Sequence, residues 1–144
     1  MKFNNAVKIK NQRIKIEREI KSMVTVIGND SVNFFKKSFS DQGFTDQTLS
    51  QWQGRKSKRD NTGRAILVKT GTLKRSIVKR TSGYTAIISS NVPYANVHND
   101  GGSIRKRGRG GVFNMPKRQF VGNSRTLIQA LKTKLNSRIL AAFK

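Results

Sequence analysis

Thr70-Gly71-Thr72-Leu73-Lys74-Arg75-Ser76-Ile77-Val78-Lys79-Arg80-Thr81-Ser82-Gly83-Tyr84-Thr85-Ala86-Ile87-Ile88-Ser89-Ser90 reads, in order, as a helical turn and two strands. Thr70 or Thr72 can cap a single helical turn that carries Leu73 and Ile77 inward. Residues 76–82 and 84–90 alternate, and Ser82-Gly83 between them fits a tight hairpin turn. Ile77, Tyr84, Ala86 and Ile88 then share one face and Val78 and Ile87 the other, with both faces expected to be partly covered. Just upstream, Ala65-Ile66-Leu67-Val68 is a short apolar run that suits a strand or a helix end.

Both flanks are helical in pattern. Ile16, Ile20, Met23, Ile27 and Phe34 recur at helical spacing, Val24 and Phe35 widen the stripe, and Ile9 and Phe39 extend it. This predicts one long amphipathic helix over 8–39, with Gly28-Asn29-Asp30 as a point of kinking or splitting. At the other end, Asn123 or Ser124 caps a helix reaching about Phe143, with Leu127, Ile128, Leu131, Leu135, Ile139 and Phe143 on its buried face.

Between helix and hairpin, residues 41–64 read as an irregular basic segment in which Phe44 and Trp52 pin the chain to the core. After the hairpin, Pro93–Asp100 is a short helical or extended piece, and 101–111, with five glycines, is expected to be a flexible basic loop. Val112-Phe113-Asn114-Met115 suits a third strand and Phe120-Val121 a fourth. The expectation is a single α+β domain over 1–144: a helix within 1–40, a small antiparallel sheet of about four strands within 65–122, and a helix within 123–144.

Thirty Lys and Arg against seven Asp and Glu give a formal net charge of +23, and residues 101–144 hold eleven bases and no acid. Such a chain attracts polyanions: nucleic acid, an anionic membrane or an acidic protein surface would each neutralise it, and a generally basic surface without one evolved site is the plain alternative. Arg55, Lys56, Lys58 and Arg59 form one candidate contact cluster for nucleic acid or a partner, and Arg105, Lys106, Arg107 and Arg109 form a second. Without helix-turn-helix or zinc-finger spacing, any binding to DNA is expected to be sequence-independent and strongly salt-dependent.

There is no cysteine, which excludes disulfides and thiolate metal sites. No stretch approaches the roughly 20 apolar residues that a membrane-spanning helix needs. Met1 to Lys21 lacks an apolar run of the signal-peptide kind. A catalytic reading has little to stand on. His98 is the sole histidine and Asp100 its only nearby acid, and neither a nucleophile elbow nor a phosphate-binding loop occurs. The expectation is a non-enzyme without cofactor or metal, in which His98 orders the chain ahead of Gly101 by hydrogen bonding.

Four segments share an order with a known family. Phe44 and Trp52 come first, then Leu67-Val68-Lys69-Thr70-Gly71-Thr72-Leu73-Lys74-Arg75-Ser76-Ile77. Tyr94-Ala95-Asn96-Val97-His98-Asn99-Asp100-Gly101-Gly102 and Pro116-Lys117-Arg118-Gln119-Phe120-Val121-Gly122 follow. Together they resemble the phage virion morphogenesis, or tail completion, family. Lys117 and Gln119 depart from that family's usual small residue and second proline. The resemblance marks Gly71, Leu73, Tyr94, Ala95, His98, Gly101, Gly102, Pro116, Arg118, Phe120 and Gly122 as motif positions, structural first and interfacial second.

What the likeness implies is a structural phage or prophage protein that completes tails or joins them to heads. It implies a ring of about six copies and contacts with other tail or connector proteins, without a membrane partner; non-specific contact with DNA is an expectation of the basic loops and is not inherited from the family. It also implies assembly in the host cytoplasm and a final place in the tail or neck. The alternative is a sequence-independent nucleic-acid-binding protein that uses its basic loops, and a third reading is a basic adaptor for an acidic protein.

Overall fold

The computed structural model describes residues 3–55, 63–105, 108 and 110–142. Helix α1 (Phe3–Asp41) runs through Gly28 without a break. Gly28 is buried, and the Lys79 and Ala86 side chains lie so near that a Cβ there would stand 3.0 Å from Lys79 Cδ. The expected kink site is therefore a packing site: the missing side chain lets the hairpin approach the helix, and that contact offsets the poor helix propensity of glycine. Gln42, at φ 54°, ends the helix, and its side chain bonds both the Phe39 carbonyl and the Ile66 N–H.

The C-terminal half of α1 faces the core through Met23, Val24, Phe35 and Phe39, whereas residues 7–16 are all exposed. At 1.5 Å per residue, the part of the helix ahead of Met23 extends about 30 Å. Ile16 and Ile20, predicted to be inward, are each 40% exposed.

Antiparallel strands follow as three separate two-stranded sheets among the described residues, where one sheet of about four strands was expected. Strands β1 (Gly43–Thr45) and β2 (Leu49–Gln51) form a small hairpin inside the segment read as irregular. Helix α2 (Thr72–Ser76) is the single turn anticipated. It buries Leu73, and the following Ile77 is fully buried. Gly71, at φ 70°, is its N-cap residue, and Thr70 Oγ1 just ahead accepts from the Thr72 N–H at 3.4 Å.

Strands β3 (Ile77–Ser82) and β4 (Thr85–Ser90) pair through six registered residues around a Gly83-Tyr84 turn, one residue later than read. Ile77, Lys79, Ala86 and Ile88 lie against α1, and Lys79 Nζ donates to the Thr25 carbonyl at 3.0 Å. Coverage of both faces is not what the structure shows: Val78 and Ile87 are half exposed, because no second layer among the described residues packs over the hairpin. Ala65–Val68 forms a turn, neither strand nor helix.

Helix α3 (Ala95–Asp100) leads into β5 (Gly102–Arg105), which pairs with β6 (Val112–Met115). The expected flexible loop over 101–111 is thus half strand: Gly102 to Arg105 are held in register, and Ser103 Oγ bonds Asn114 Oδ1 at 2.7 Å. Phe120-Val121, read as a strand, is irregular backbone.

Helix α4 (Arg125–Ala142) closes the fold. Its start is over-determined. Ser124 Oγ accepts from Leu127 N–H at 3.1 Å, and Asp46, from the β1–β2 turn, accepts from Arg125 N–H through Oδ1 at 2.7 Å and from Thr126 N–H through its carbonyl at 3.0 Å. A carboxylate at this end also favours the helix dipole. Lys134 ties α4 to Asp30 of α1 at 2.6 Å. Leu127 is buried and Leu131 and Leu135 half-buried, whereas Ile128 and Ile139 are 41% and 38% exposed and Phe143 lies outside the described residues.

Phe39 is the centre of the core, stacked edge-on against Trp52 at 5.5 Å and tilted against Phe120 at 5.3 Å. Phe35, Phe44, Leu73, Ile77, Ala95 and Leu127 fill the space around them. Ser124→Ala should lower unfolding free energy by about 1 kcal/mol, the usual value of a lost N-cap. Phe120→Ala should lower it by about 3–5 kcal/mol through the cavity it leaves. Urea titrations followed by Trp52 fluorescence would measure both.

Candidate functional site: a clasp and its cleft

The motif residues of the second half converge on one place. Gly101 follows α3 at φ 78°, and a Cβ there would sit 3.0 Å from Lys117 N. Only glycine lets the end of α3 lie directly against the 115–117 backbone. Gly102 is also at positive φ, 135°. From this crossing the segment 116–122 runs beside α3 and is joined to it by three hydrogen bonds. Arg118 N–H donates to the His98 carbonyl at 2.8 Å, and Asn99 Oδ1 accepts from Phe120 N–H at 2.9 Å and Val121 N–H at 3.0 Å. Asn99 Nδ2 donates to Asp100, which fixes the orientation of the amide.

The opposite side of the segment is held by residues near β2. Trp52 Nε1 donates to the Gln119 carbonyl at 2.7 Å, and Arg118 donates to the Gln53 carbonyl through Nε at 3.1 Å and Nη2 at 3.0 Å. Irregular backbone can be buried only if its polar groups find partners. Here side chains supply what a sheet ladder would have supplied, which is why Phe120 reaches the core without being in a strand.

Of the motif positions, Ala95, Arg118 and Phe120 are buried, Gly122 is half-buried and lies near Phe44, and Pro116 follows β6. Tyr94 is 41% exposed, with its ring 5.8 Å from that of His98. Gly71 and Leu73 belong to α2, away from the clasp in sequence. Of the basic candidates, Arg55 lies at the clasp, bonded to the Arg64 and Ala65 carbonyls, and Arg105 is exposed at the end of β5. Lys56, Lys58, Arg59, Lys106, Arg107 and Arg109 lie outside the described residues.

The role assigned to His98 needs correction. Its backbone carbonyl, not its ring, orders the chain, and the side chain that does so is Asn99, which sequence reasoning missed. An Asn one place before a helix-ending glycine is the only trace of that role in the sequence. His98 Nδ1 is buried without a hydrogen-bond partner. Burial, and then the Arg118 charge, push the imidazole pKa below its usual value. Burial lowers the Arg118 pKa too, with Arg55 adding to the effect.

His98 and Arg118 border a partly open cleft of about 550 Å³, which Arg55 also lines, with apolar walls from Leu67, Phe113 and Pro116. No group of three potential metal ligands occurs among the described residues, and no helix there is long and apolar enough to cross a membrane.

Asn99→Ala leaves two N–H groups without their acceptor and should cost about 2 kcal/mol or more; Asn99→Asp keeps an acceptor and should lose less. Chemical denaturation of the pair separates acceptor loss from side-chain loss. The lowered imidazole pKa has a defined sign. The unfolded chain binds the proton more readily, so stability falls as pH drops below about 6.5 and levels off beneath the folded pKa. His98→Gln should remove that component from the stability–pH curve.

No curated protein and no solved structure gave a match in comparison with known proteins. A family-level match covers residues 6–139, taking in α1, all three hairpins, the clasp and most of α4. With nearly the whole chain matched, the chain belongs to the phage virion morphogenesis family.

Proposed function

We propose that this protein completes tails or joins them to heads by packing beside copies of itself in a closed ring. The observation that carries the reading is the unsatisfied apolar surface of α1. Ile16 and Ile20 border a largely apolar groove of about 470 Å³ whose walls also include Glu19, Met23, Val24, Tyr84 and Ile139. The same helix carries its stripe outward to Ile9, which is 65% exposed. This continuous apolar surface suits contact with another copy, and head-to-tail contacts close into rings when the rotation per subunit allows. Exposed apolar patches of this kind are typical of association surfaces.

The open β3–β4 hairpin offers a second surface, through Val78 and Ile87 and through unpaired strand edges. The family likeness supports a ring of about six copies, built in the host cytoplasm and retained in the tail or neck beside connector proteins, as part of this reading. The +23 charge would then hold DNA passing through the ring. That charge is also what favours the second reading, a sequence-independent nucleic-acid binder.

Light scattering after size exclusion separates the two. A ring former should give defined oligomers without DNA, and Ile16→Glu with Ile20→Glu should return it to monomer. A plain DNA binder should stay monomeric and shift only with a duplex at low salt. In phage carrying the double substitution, tails should fail to join heads, and normal joining would overturn the ring reading. Replacing Arg105, Lys106, Arg107 and Arg109 by Ser should weaken DNA retention, and unchanged filling and joining would end the DNA-holding role.

A further inference from the structure

The cleft at the clasp holds more cationic character than the fold neutralises. Arg118 is buried, and among the described residues its guanidinium meets the Gln53 carbonyl alone. Arg55 meets the Arg64 and Ala65 carbonyls there and no other described partner. A guanidinium has five N–H groups, so each retains donors beyond these bonds. The ion pairs among the described residues are Arg13–Glu17, Lys37–Asp41 and Lys134–Asp30, and none is in the cleft. Among the described residues, two guanidinium groups thus share a confined space without a carboxylate, and each depresses the affinity of its surroundings for further positive charge. The His98 imidazole lines the same cleft, and burial and then the Arg118 charge lower its affinity for a proton, so it adds no compensating negative charge and little positive charge of its own.

The walls define the rest of the ligand. Leu67, Phe113 and Pro116 are apolar, so the occupant must bring an anionic head on an apolar stem. A planar carboxylate matches the guanidinium fork. A phosphodiester brings two flanking sugars and suits an open track of Lys and Arg. An acidic protein also complements the chain's +23 charge and would be steered to it.

We propose that the cleft between Arg55, His98 and Arg118 is a carboxylate-binding site that takes an Asp or Glu side chain, flanked by apolar residues, from a partner protein. This site is separate from the α1 groove, so its failure would leave the ring reading standing, and light scattering reads the latter alone.

NMR of labelled protein tests the site, with the single histidine as reporter. The probes are acetyl-Leu-Phe-Asp-Leu-amide and the same peptide with Asn for Asp. The Asp peptide should shift the His98 ring and the Arg118 Nε–H saturably and bind at least about tenfold more tightly than the Asn peptide. Arg55→Gln, checked for folding by its Phe39 and Phe120 signals, should weaken the Asp peptide and leave the Asn peptide unchanged. Equal affinity of the two peptides for the wild-type protein, or no shift at His98, would overturn the proposal whether or not the variant folds. A short DNA duplex that moves His98 as strongly as the Asp peptide would overturn it in favour of phosphate.

Discussion

The amide oxygen of Asn99 accepts two successive backbone N–H groups, from Phe120 and Val121, and much of the molecule depends on that arrangement. It fixes the path of a segment that belongs to no sheet. Phe120 can then reach Phe39, and Trp52 can meet both the Phe39 ring and the Gln119 carbonyl. One polar group thus determines where three aromatic side chains meet. Apolar burial drives the association, but the bonds choose its geometry.

Elements too small to be stable alone are held by this arrangement. Two-stranded hairpins are marginal in water. Here β3–β4 is backed by α1, and the β1–β2 turn is tied to the start of α4 through Asp46. Only β5–β6 projects with little backing, and its Val112 and Phe113 remain open to solvent at one side of the clasp cleft. The surfaces left apolar are the groove along α1, the outer face of β3–β4 and this arm. The family to which the chain belongs gives it a structural role in virion morphogenesis.

Charge follows a different logic. The few acids are used locally: Asp46 at a helix start, Asp30 and Asp41 in pairs with Lys134 and Lys37, and Glu17 in a pair with Arg13. These pairs are partly or largely exposed and contribute little each. They leave most of the positive charge uncompensated, which tertiary structure neither creates nor removes.

What could be read from residue order alone was periodicity. Ile16 to Phe35 announced a helix, residues 76–90 a hairpin, and Leu127 to Ile139 a second helix, because side-chain spacing of 3.6 or 2 is a local property. The motifs also showed the family. What only the tertiary structure decided was which partner each local feature met. Gly28 breaks no helix because Lys79 and Ala86 pack over it. Gly102 to Arg105 form a strand because Val112 to Met115 lie opposite, which glycine-rich composition conceals. Phe120 is buried outside any strand because Asn99, far away in sequence, satisfies its backbone. Local spacing fixes which face is apolar; the contacts that satisfy buried polar groups are long-range, and no window of sequence contains both ends of them.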